Sequence, residues 1–80
     1  MPIQAEFDRL RQSCSAQLEQ FIAEARKTEF SMQQLSLPIS LATSRQFTSQ
    51  RNSEVVAFES YLLASLRLRE FLEKHLYIIH

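Results

Sequence analysis

The chain has 80 residues with nine basic and nine acidic side chains, one cysteine and no glycine. Its zero formal charge excludes a general electrostatic grip on nucleic acid or an anionic membrane. A lone cysteine excludes an internal disulfide, and the absence of glycine excludes a glycine-cradled phosphate site.

An all-helical chain tolerates the absence of glycine best, because tight turns and left-handed caps are where glycine is needed. The length fits one small domain, residues 1–80, in a reducing compartment. No N-terminal stretch has the layout of a signal peptide. Val55 to Leu68, the longest apolar-rich stretch, is interrupted by Glu59, Ser60, Ser65 and Arg67. The expectation is a cytoplasmic protein with no membrane insertion.

The first helix is expected from about Pro2 to about Gln34. Pro2 suits a first helical turn, where its missing N–H costs nothing. Ile3, Phe7, Leu10, Cys14, Leu18, Phe21, Ala25, Met32 and Leu35 recur at helical spacing on one narrow face. Glu6, Arg9, Gln12, Glu19, Gln20, Glu24 and Lys27 make the other face polar. Phe30 departs from the stripe. It is expected to pack beneath the following loop, with an exposed partner anchor as the alternative.

Residues 35–42 read as an extended connector. Pro38 interrupts an alternating run and pushes Leu37 out of helical geometry. The leucines and Ile39 are expected to fold onto the end of a hairpin. Thr43-Ser44-Arg45-Gln46 fits a capping box, which starts the second helix at about Thr43 and carries it to about residue 79. A later start at Asn52 is the alternative. Arg69 with Glu73 and Glu70 with Lys74 are candidate supporting pairs.

The second helix carries two apolar stripes. One is Val55, Phe58, Leu62, Leu66, Leu72 and Leu76; the other is Val56, Leu63, Phe71 and Ile78. Two helices of this length with a short link must lie antiparallel, so the predicted fold is an all-α helical hairpin. The first stripe is expected in the hairpin seam. The second is left over, and Val56, Leu63, Phe71 and Ile78 are the candidate partner-binding residues.

Candidates for chemistry are few. Cys14 stands in line with Leu10 and Leu18 and behaves there as a small hydrophobe. His75 and His80 are five apart and do not share a helix face, so a solvated His75 and a frayed His80 are expected. No nucleophile has a base and an orienting group, and no ligand spacing suits a metal. The chain therefore reads as non-enzymatic, with no cofactor, metal or catalytic residue. Arg45, Arg51, Arg67 and Arg69 alternate with Glu54, Glu59, Glu70 and Glu73, which suits a solvated surface rather than a nucleic-acid reader. Arg51 is in phase with the main stripe and is expected to snorkel or to pair with a partner.

Gln46-Phe47-Thr48-Ser49-Gln50-Arg51, followed by Val55-Val56-Ala57-Phe58-Glu59-Ser60, resembles the second helix of the small two-helix co-chaperones of bacterial type III secretion needle proteins. The resemblance runs from Gln46 to about Leu66, and the first helix carries no corresponding motif. It implies a module that joins a second chaperone, often a helical-repeat protein, and keeps the needle subunit soluble before export. The alternative expectation is a homodimeric four-helix bundle with a structural or regulatory role.

Overall fold

The computed structural model describes residues 2–76 and holds two helices, α1 (Pro2–Gln34) and α2 (Leu41–Leu76). They pack antiparallel as a helical hairpin. Phe7 near the start of α1 stacks on Phe71 near the end of α2, with ring centroids 6.0 Å apart. Gln50 reaches Glu24 near the connector.

The connector is shorter than expected, because α2 begins at Leu41 rather than Thr43. Ser40, not Thr43, is the capping residue. The Thr43 amide donates to Ser40 Oγ at 3.2 Å, and the Ser44 amide donates to the Ser40 carbonyl at 2.9 Å. The Ser40 hydroxyl in turn donates to Thr43 Oγ1 at 2.8 Å. The Ser40 oxygen satisfies an orphan amide of the first turn, and the helix then runs unbroken through the polar stretch Thr48 to Ser53. The expected folding of the connector onto the hairpin end occurs only at half-buried Leu35. Leu37 is 88% exposed and lies on neither helix.

The seam follows a seven-residue repeat. On α1 the inward rows are Phe7, Cys14, Phe21 and Thr28, continued by Leu35 just past its end, alternating with Leu10, Gln17, Glu24 and Ser31. On α2 they are Phe47, Glu54, Tyr61, Leu68 and His75, alternating with Gln50, Ala57, Ala64 and Phe71. Alternating steps of three and four keep these rows facing each other along two nearly parallel helices. Phe21 fills the middle, 5.1 Å from the Phe58 ring and 6.4 Å from the Tyr61 ring. Ala57 and Ala64 are the only buried apolar residues among those described, and their small side chains let the helices approach.

The expected seam of α2 is therefore corrected. Val55, Leu62, Leu66, Leu72 and Leu76 lie outside the two inward rows, and Phe58 meets α1 only from the side, through Phe21; all six remain between 37% and 56% exposed. They were the most apolar stripe, but their spacing drifts away from the strict repeat that Phe47, Tyr61 and Leu68 keep. On α1, Ile3, Leu18 and Met32 also lie outside the seam, while Gln17, Glu24 and Thr28 lie inside it.

The molecule measures 60 × 19 × 15 Å. Its radius of gyration is 18.1 Å, against about 12 Å for a compact chain of this length. It is a single layer of two helices, and no large side chain among the described residues is fully buried. No helix among the described residues is long and apolar enough to cross a membrane.

Candidate protein-docking surface

The hairpin has two flanks of opposite character. Positions one and four residues after Phe7, Cys14, Phe21 and Thr28 lie on one side of α1. Positions one and four residues after Phe47, Glu54, Tyr61 and Leu68 lie on one side of α2. In an antiparallel pair these two sides adjoin. The middle of this flank carries Leu18 and Ile22 from α1 beside Val55, Phe58 and Leu62 from α2, with Leu66 at its outer edge. All six are exposed. Phe58 is anchored by its contact with Phe21, so the flank has an aromatic base and an aliphatic rim.

The other flank is polar. Glu6, Ser13, Gln20 and Lys27 line it on α1, and Ser53, Ser60, Arg67 and Lys74 line it on α2. It holds open hollows, one bounded by Gln17, Gln20, Ser53, Val56 and Ser60. Beneath it Glu24 collects four donors. Gln50 Nε2 donates to Glu24 Oε2 at 2.8 Å and to the Glu24 carbonyl at 3.1 Å. Gln20 Nε2 donates to Oε1 at 3.2 Å, and Lys27 Nζ lies 3.4 Å from the same oxygen. Thr28 Oγ1 donates to the Glu24 carbonyl at 3.2 Å. The Gln50 hydrogen bond, with help from Lys27 and Gln20, holds the Glu24 carboxyl below its ordinary value of 4.5, against a smaller opposing push from burial.

Of the four sequence-derived partner residues, the three that the structure describes do not share one surface. Val56, 61% exposed, and Leu63 stand at the rim of the polar flank. Phe71 turns into the seam, stacked on Phe7 and 4.3 Å from the His75 ring. Ile78 lies outside the described residues, as does His80. Phe71 is half-buried in the seam because its place in the seven-residue repeat brings it against Phe7. His75, expected to be solvated, is half-buried on Phe71. Phe30 is 63% exposed rather than packed under the connector. Arg51 pairs with Glu54 on its own helix at 3.3 Å. The other ion pairs among the described residues are Arg11 with Asp8 and Lys27 with Glu24. The two expected near the end of α2 do not close.

Ile22 escaped the sequence reading because it lies outside the main stripe of α1. Its signal is its position one residue after Phe21, which places it beside Leu18 on the same flank. Cys14 is half-buried in the seam, as a small hydrophobe would be. Among the described residues no group of three metal-ligating side chains comes together. Comparison with protein families, with curated proteins and with solved structures finds no match to this chain.

Proposed function

We propose that this chain is a small protein-binding hairpin whose apolar flank covers an amphipathic helix of a partner. The observation that carries this reading is the joint apolar surface of Leu18, Ile22, Val55, Phe58, Leu62 and Leu66. A flank of both helices offers a shallow apolar groove, and a helix laid into it removes methyl and ring surface from water on both sides. The polar flank opposite keeps the complex soluble.

The resemblance of the segment Gln46 to about Leu66 gives this reading its specific form. The chain acts as a type III secretion co-chaperone in the bacterial cytoplasm. It joins a helical-repeat chaperone and holds a needle subunit unpolymerised. A subunit with self-complementary apolar helices aggregates unless those faces are covered, and a binder that prefers the unassembled form shifts that equilibrium by mass action. No catalytic role is needed for this work. The test is affinity capture of the tagged protein from its native cell, with mass spectrometry of what co-purifies. The expected result is a helical-repeat chaperone together with a small needle-like subunit. Recovery of neither overturns the secretion role.

A further inference from the structure

We propose that, when no partner occupies it, the apolar flank closes on a second copy of this chain to form a four-helix bundle with its twofold axis along the helices. This rests on the same flank as the proposed function and adds a competing occupant.

The first argument is surface. The chain exposes 6552 Å². A compact monomer of its 9.4 kDa exposes about 5,000 Å². The excess is on the order of 1,500 Å² per chain, enough for a stable dimer interface, which removes about 800 Å² from each partner. A layer 15 Å thin has no other element to cover this surface. Zero net charge means that two copies do not repel.

The second argument is charge, which chooses between two ways of laying the flank on itself. Asp8, paired with Arg11 beside it, stands at one end of the flank on α1 and Glu29 at the other, and Arg69 and Arg51 stand at the corresponding ends on α2. An axis across the helices sets α1 on α1 and α2 on α2. Arg51 then meets Arg69 of the second copy, like on like at both ends, while Glu29 faces the neutral pair of Asp8 and Arg11. An axis along the helices sets α1 on α2 of the second copy. Glu29 then comes level with Arg51 of the second copy, opposite on opposite, and Arg69 with the neutral pair of Asp8 and Arg11. The same operation lays the narrow apolar set of α1, Leu18 and Ile22, over the wider set of α2 at the level of Phe58 and Leu62. Opposite charges at one end and apolar contact along the flank are what a specific homodimer requires.

The test is sedimentation equilibrium of the full chain over a concentration series. The expected mass is twice 9.4 kDa, with Leu62→Asp reduced to one copy and Leu63→Asp still paired, both helical by circular dichroism. Arg51→Glu places like charges against Glu29 at two symmetric contacts and raises the dissociation constant about tenfold. Adding Glu29→Lys restores pairing. A single-copy mass throughout the series overturns the dimer. A dimer indifferent to Leu62→Asp overturns the choice of face, and failure of the double charge reversal overturns the axis. A strictly monomeric chain that still captures a helical partner overturns this inference alone, whereas a dimer that captures none overturns the proposed function alone.

Discussion

The two flanks of this hairpin are built from the same helices at the same depth, yet only one is finished. On the polar flank Glu24 is met by Gln50, Gln20 and Lys27, and the surrounding serines face water that can bond them. On the apolar flank Phe21, Phe58 and Tyr61 form an aromatic base, but Leu18, Ile22, Val55, Leu62 and Leu66 end in solvent. Water completes a polar surface and cannot complete an apolar one. The difference puts the uncovered apolar surface on one side of the molecule.

Substitutions can break each side separately. Phe21→Ala should have the largest effect, because it removes the ring that supports Phe58 and Tyr61. A half-buried aromatic lost from a seam costs about 2–3 kcal/mol, and urea unfolding followed by circular dichroism should show it. Ala57→Leu, below the polar flank, should push the helices apart and cost about 2 kcal/mol in the same assay. Ser40→Ala touches neither flank. It should cost about 1 kcal/mol through the lost cap and leave partner binding unchanged in a titration.

The smallest effect concerns pH. The Glu24 carboxyl is held below its ordinary value of 4.5 by its hydrogen bonds, so its stabilisation is fully present above that value. It should fade as pH falls through the lowered folded value. Thermal melts from neutral to acid pH should show part of the loss removed in Glu24→Gln. An unchanged acid slope in that variant would remove Glu24 from the polar network.

The hairpin and the ends of α1 were legible in the sequence because Phe7, Leu10, Cys14 and Phe21 keep helical spacing and nothing between Pro2 and Pro38 interrupts it. The face of α2 was not. Its strongest apolar stripe, Val55 to Leu76, looks like a core when hydrophobicity alone is weighed. The strict repeat through Phe47, Glu54, Tyr61, Leu68 and His75 is diluted by a carboxylate and a histidine. Burial of Gln50 and Glu54 becomes acceptable only once a partner is present, and Gln50 finds Glu24, a residue 26 positions away. A single-helix reading cannot supply that contact. The same coupling turns Phe71 inward onto Phe7 and moves the candidate surface from the Val56 and Leu63 side to the Val55 and Leu62 side.

Leu62 and Leu63 are neighbours in sequence and stand on opposite flanks. The most direct test is to measure partner capture by Leu62→Asp and by Leu63→Asp, with helicity checked by circular dichroism. The expected result is a loss of about tenfold or more for Leu62→Asp, as for truncation of a central interface residue, and near-normal capture by Leu63→Asp. The reverse order, or equal loss in both, would contradict the assignment of the docking surface to the apolar flank.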